Sequence, residues 1–330
     1  MKKWIVVLLM LCLLAVGSVG CGGADDDVVN GDDEEEEAID PSEGKPFKGD
    51  SFSKMVGSYT IETEWIPFAE PVVVEETFQA HLAVAGDDYY VLTDGKIKQY
   101  RLEDGSLVLD GEIPLEEEYR TISVDDKGTL YASQFMEDFV GFRDGKQIFA
   151  HDGPKIAAMH PSGKWGLSYF SGPDVEKMTL GDGTLKMEDW ELKEIKTISR
   201  ISISEKHVFA SGSSKKNEEQ AVFVYDLKKK LKHTLGDKEF GDPESLGSVT
   251  TVVETKSGFM GLDGNMRNVC FWKPDGSFIG AIDAGDIFGT KYPWMSTAAL
   301  MPDGSIIVGM TEERADKSAK EFILYRLTGF

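Results

Sequence analysis

The chain has 330 residues, with 58 acids against 35 lysines and arginines, a formal net charge of −23 at pH 7. That balance excludes a nucleic-acid partner, because phosphate binding needs a basic face. Anionic lipid surfaces should also repel residues 51–330, which makes a covalent anchor more useful to them.

Lys2 and Lys3 give a positive start, and residues 4–16 follow as an apolar run without a charge. Small residues come next: Gly17, Ser18 and Gly20. The run is too short for a comfortable span of roughly 20 residues and reads as a secretory signal over residues 1–20. Its end resembles a bacterial lipobox, Ser18-Val19-Gly20-Cys21, with serine where leucine is usual. That resemblance implies a lipidated Cys21 at the mature N-terminus, an anchor on the extracytoplasmic side of a bacterial membrane. An ordinary secretory signal with an incidental cysteine is the alternative.

Residues 25–50 hold twelve acids and two lysines, with Phe47 as the one aromatic. Such a segment buries too little apolar surface to offset its ordering entropy. Like charges extend it. Residues 21–50 therefore read as a lipidated cysteine and a disordered acidic tether. Calcium binding by Asp25–Asp27 and Asp32–Glu37 is the sharper reading, but the glycine-punctuated loop spacing of a calcium site is missing. Of the three cysteines, Cys12 lies in the signal and Cys21 would carry lipid, leaving Cys270. One thiol cannot close an internal disulfide, so the fold must stand on its core. Cys270 lies in the apolar run VCFW and reads as a buried structural residue.

Residues 51–330 repeat one pattern: a strand, a tight turn and a second strand. It occurs at 82–93, 122–133, 157–170, 201–212, 252–262 and 298–310. A second hairpin follows the first five, with turns at 102–106, 143–146, 181–184, 227–230 and 273–277. Asp-Gly pairs at several of them suit tight hairpins. The flanking runs are rich in branched and aromatic residues, and convincing amphipathic helices are missing. Four strands per unit, six units, is the size and repeat of an all-β six-bladed β-propeller with four-stranded blades. The sixth unit has only three strands, so the alternating segment at 58–65 should complete it and close the ring. Two packed β-sandwiches would not explain six copies.

The pattern resembles the six-bladed propellers of the NHL and TolB-like kind, over nearly the whole chain after the tether. The resemblance is architectural and carries no catalytic residue. Some related propellers are lactonases or lyases that hold calcium in the central channel with acidic and amide side chains. Asp263 and Asn265, in LDGNMRN, are the best local candidates for such a metal, with a plain hairpin turn as the other reading.

In a propeller the first-to-second and third-to-fourth turns share one face. Here that set is tight, and the opposite set reads as long and varied. Long loops on a rigid scaffold are where function usually resides. That face would offer Phe135, Phe240, Tyr292 and Trp294 to a protein or glycan, although Tyr292 and Trp294 could equally pack the loop base. Trp65, Trp165, Trp190 and Trp272 fall in strands and are assigned to packing between blades. The five histidines form no metal-ligating pair, and the chain has no GxSxG, Walker A or dinucleotide-binding motif. The expected function is a membrane-anchored, extracytoplasmic binding or scaffold propeller without a required cofactor, docking an envelope protein or glycan. The alternative is a propeller hydrolase or lyase with a divalent metal, such as calcium, in its channel.

Overall fold

Local turn chemistry sets the architecture. At Asp94-Gly95, Asp104-Gly105 and Asp144-Gly145 both residues adopt positive φ, the conformation that lets a two-residue turn follow the strand twist. A five-residue turn recurs at 273–277 and 301–305. In each, the first N–H bonds the last carbonyl, and the third-position aspartate accepts from the closing serine. Those serine bonds hold the Asp275 and Asp303 carboxyls below the usual range.

The turns link strands into blades. The structure is a computed structural model and describes residues 52–74, 80–134, 137–152, 155–181, 184–289, 293–313 and 320–330. Within each blade the strands are lettered A to D in chain order. Blade 1 comprises His81–Ala85, Asp88–Thr93, Lys96–Glu103 and Ser106–Pro114. Blade 2 comprises Thr121–Val124, Leu130–Ser133, Phe139–Arg143 and Lys146–His151. Blade 3 comprises Ile156–Met159, Trp165–Tyr169, Val175–Gly181 and Thr184–Asp189. Blade 4 comprises Ile195–Ile203, His207–Ser214, Gln220–Asp226 and Leu231–Leu235. Blade 5 comprises Val249–Glu254, Phe259–Asp263, Asn268–Trp272 and Phe278–Asp283. Blade 6 comprises Pro293–Leu300, Ile306–Glu313 and Lys320–Thr328, completed by Tyr59–Ile66 from the front of the chain. Each A strand touches the A strands of both neighbours, which closes the ring.

The closure matches the sequence expectation. Thr63 lies opposite Leu327, and Ile66 opposite Leu324. Gly329 ends this seam at a φ of +98°, and a Cβ there would sit 1.8 Å from the Thr60 carbonyl oxygen, so only glycine fits. Three elements were not expected. Phe52–Val56 adds an outer strand beyond Tyr59–Ile66, and Val72–Val74 pairs with the start of Lys320–Thr328. A single helical turn, Ala284–Phe288, is capped by the Asp283 carboxylate and ended by left-handed Gly289. It packs Ile287 and Phe288 into the core at the closure.

The buried apolar residues fall into six clusters, one at each blade–blade interface. Tyr90 and Phe142 represent the cluster between blades 1 and 2, Phe139 and Met178 that between 2 and 3, and Leu167 and Phe223 that between 3 and 4. Phe209 and Trp272 mark the next, Leu262 and Tyr325 the closure between 5 and 6, and Tyr89 with Phe322 the return to blade 1. At about 1.5–3 kcal/mol per fully buried large side chain, these wedges hold the ring. This explains the sequence texture. B and C strands are apolar on both faces because a blade covers each, as in Val222–Tyr225. Outer D strands such as Thr184–Asp189 are mostly exposed and polar. Trp165, Trp190 and Trp272 sit in these interfaces and Trp65 packs at the closure, as the sequence reading had them, although Trp190 lies just past the end of Thr184–Asp189 and not in a strand.

Candidate functional site

The six A strands wall a central channel with a cavity of about 810 Å³. Its wall is stitched strand to strand. Thr250 Oγ1 donates to the Met295 carbonyl at 2.8 Å, and Thr297 Oγ1 to the Leu82 carbonyl at 3.2 Å. Ser211 Oγ donates to the Val249 carbonyl, the Ala157 N–H to Ser133 Oγ, and the Ile122 N–H to His81 Nδ1. The Tyr169 hydroxyl reaches the backbone of Ile201 across the remaining interface. Every blade pair is therefore linked beside the cavity, and a rigid wall can hold ligand groups in place.

Three A strands carry bulges. Register shifts fall between Ile195 and Thr197 and between Ile198 and Arg200 in blade 4, between Val249 and Thr251 in blade 5, and between Met295 and Thr297 in blade 6. A bulge redirects the next side chains. In blade 4 the buried positions become Ile195, Ile198 and Ile201, three apart instead of two. Arg200 is left lining the cavity, beside Tyr169 from blade 3. Its Nη1 donates to the Ser199 carbonyl at 3.3 Å. His81 lines the same cavity, and burial, then the Arg200 charge, lowers its pKa to about 4. It is neutral at pH 7. Because Nδ1 accepts from the Ile122 N–H, the proton belongs on Nε2.

The carboxylates cluster toward the A–B turns. Three of them are engaged. Asp88 accepts from Gln99 and Arg101, and Asp125 from the Lys127 and Thr129 N–H groups and the Tyr131 hydroxyl. Glu254 Oε2 accepts from Ser204 Oγ and lies 3.0 Å from His207 Nδ1. Serine, histidine and glutamate thus meet at one mouth. The carboxylate stands between the other two, and the serine proton already points at it. A hydrolytic triad instead places the histidine against the serine. Asp126 and Glu205 complete the acidic rim.

Of the residues singled out in the sequence, the described ones lie elsewhere. Phe240 is 81% exposed on the connection between blades 4 and 5, on the long-loop face. Trp294 is half-buried. A Cβ on Gly264 would meet its ring at 3.4 Å, so it packs between blades 5 and 6. Cys21, Phe135 and Tyr292 lie outside the described residues. That face is also less uniformly long than the sequence suggested, since blade 1 joins B to C through Asp94-Gly95 alone and blade 5 through residues 264–267.

Asp263 is fully buried at the end of blade 5 strand B. Oδ2 accepts from the Gly247 N–H at 2.6 Å, and Oδ1 from the Ser248 and Met266 N–H groups at 2.9 and 3.0 Å. Three backbone donors saturate it. Asn265 is exposed in the adjoining turn. Neither lines the channel, and among the described residues no group of three His, Cys, Asp or Glu side chains could hold a metal ion. Cys270 is buried, and burial, then the Asp263 charge, raises its thiol pKa far above the usual range.

Among solved structures, the chain is similar to Kuenenia stuttgartiensis hydrazine synthase, with 13% identity over 73% of this chain and 78% of that one, at a TM-score of 0.50. It is similar also to the WD40 β-propeller domain of Doa1, with 11% identity over 81% of this chain and 97% of that one, at a TM-score of 0.50. At these identities the likeness shows the propeller fold alone. No protein-family model matches the chain, and no curated protein matches it in sequence.

Proposed function

We propose that this chain is a binding propeller tethered to the outer side of a bacterial membrane, with the central channel as its ligand site. The lipid on Cys21 would anchor it, and the acidic segment over 25–50 would hold the ring off the bilayer. Among the described residues no helix is long and apolar enough to cross a membrane. The long-loop face around Phe240 would dock an envelope protein or glycan, the scaffold role of this fold.

One observation carries the reading: the open cavity of about 810 Å³, within the size range of small-molecule sites. Its wall is hydrogen-bonded between blades, and Asp88, Asp125 and Glu254 are already committed to partners. Groups spent on structure favour binding over bond-breaking chemistry.

Two experiments test this. Lipid labelling with an alkyne fatty acid in bacterial cells should mark the wild type and not Cys21→Ser. A thermal-shift screen of the full chain in detergent against small polar metabolites should find stabilisation that Ala158→Trp, which narrows the channel, weakens. Stabilisation unchanged in the narrowed variant would place the ligand elsewhere and refute the channel reading.

A further inference from the structure

Arg200 is the one lysine or arginine among the described residues that line the channel. Five carboxylates line it too, Asp88, Asp125, Asp126, Glu205 and Glu254. No ion pair joins any of them to Arg200 among the described residues. Its guanidinium carries five donors in a planar fork, of which one bonds the Ser199 carbonyl and another the Tyr169 hydroxyl oxygen, so donors are left over. In a chain of net charge −23, an exposed cation that lines the open cavity without an ion-pair partner is a specific feature. A structural arginine would be expected to pair with one of the many acids.

Its surroundings point the same way. The neighbouring groups are donors. The Tyr169 oxygen accepts from the guanidinium and from the Ile201 N–H and keeps its own O–H to donate, and His81 reaches the cavity with Nδ1 already occupied, which leaves Nε2–H to donate. A bulge between Ile198 and Arg200 sets the direction of the arginine, and the backbone on both sides is fixed by strand pairing.

We propose that the channel seats a small oxyanion, a carboxylate or a phosphate, on the Arg200 guanidinium, with Tyr169 and His81 beside it. The inference rests on the channel being the ligand site. A planar fork matches two oxygens of either group and binds them by paired charge-assisted bonds. Asp126 and Glu205 at the rim select against polyanions. Their field reaches about 8–10 Å at physiological salt, so a ligand of low charge, or one carrying its own cation, passes more readily.

The test uses the full chain in detergent at low ionic strength. Sodium acetate, sodium succinate, inorganic phosphate and neutral glycerol are titrated, with heat of binding and melting midpoint as readouts. Saturable binding of an oxyanion and none of glycerol is expected. Response to acetate or succinate identifies a carboxylate site, and response to phosphate alone a phosphate site. Arg200→Gln should weaken binding at least about tenfold, Arg200→Lys should weaken it less, and Asp126→Asn with Glu205→Gln should tighten it. Should Arg200→Gln fail to fold, the arginine Nε–H resonance of the wild type supplies the answer, because it must shift on saturation. No binding by any oxyanion, or equal binding by Arg200→Gln, overturns the inference. A neutral ligand whose binding Ala158→Trp weakens and Arg200→Gln does not would overturn it while leaving the channel reading intact. Loss of both kinds of ligand would end both.

Discussion

Replacing Asp263 separates a structural carboxylate from a metal ligand. The side chain is fully buried and accepts three backbone N–H bonds, from Gly247, Ser248 and Met266. It ties the connection between blades 4 and 5 to the B–C turn of blade 5, where the Gly264 N–H also bonds the Ser248 carbonyl. Asp263→Ala strands three donors, each costing about 1–3 kcal/mol when left buried. All three donors are only partly buried, and water reaching them offsets part of this, so the net loss should be about 4 kcal/mol. For a domain of this size that lowers the melting midpoint by roughly 7 °C. Asp263→Asn keeps one acceptor but turns an NH₂ toward a donor, and should lose about half as much, roughly 2 kcal/mol. Urea unfolding of the full chain, with calcium and with chelator, measures both. A loss below about 1 kcal/mol in Asp263→Ala would refute the argument. So would a large calcium-dependent stabilisation of the wild type that Asp263→Asn abolishes, since the carboxylate would then serve a metal.

Three further outcomes follow from the same geometry. Ile61 is fully buried in the closure between blades 5 and 6, so Ile61→Ala should cost about 3 kcal/mol. Urea titration should show it, and a change under 1 kcal/mol would mean that the N-terminal strand does not hold the ring. His81 resists protonation until about pH 4 in the fold, while the unfolded chain takes its proton near pH 6.5. The unfolded state therefore binds more protons between those values, and stability falls as pH drops through that window, by up to ~3 kcal/mol. His81→Gln should flatten this slope, and identical pH profiles would disprove it. Cys270, buried with its thiol pKa raised, should react with a thiol reagent only as fast as blade 5 opens. Rapid labelling of the native chain at pH 8 would contradict its placement.

The fold was legible because its signals are local. Six hairpins of branched strands, 36 to 52 residues apart and several with Asp-Gly turns, recur along the chain, and a strand missing from the last repeat has to come from somewhere. The alternation in SYTIETEW supplied it. Less legible were Phe52–Val56 and Val72–Val74, which are short and gain strand character only by pairing with an edge already present. The single helical turn at Ala284–Phe288 escaped because five residues carry too little periodicity to read.

The sequence by itself determined the number of blades, the direction of ring closure and the apolar character of each middle strand, since turn chemistry and side-chain alternation act over a few residues. It did not determine the site. Arg200 sits in IKTISRISI, where strict alternation would put it on the same face as Ile198. Two bulges break that parity, and a bulge is recorded in the partner strand's register, not in the bulged strand's own composition. Asp263 could be read as a metal ligand until Gly247 and Ser248, sixteen and fifteen residues earlier, arrived to saturate it. The channel is assembled from six strands spread over more than 200 residues. Its chemistry depends on which side chains meet across the ring, and only the closed ring brings them together.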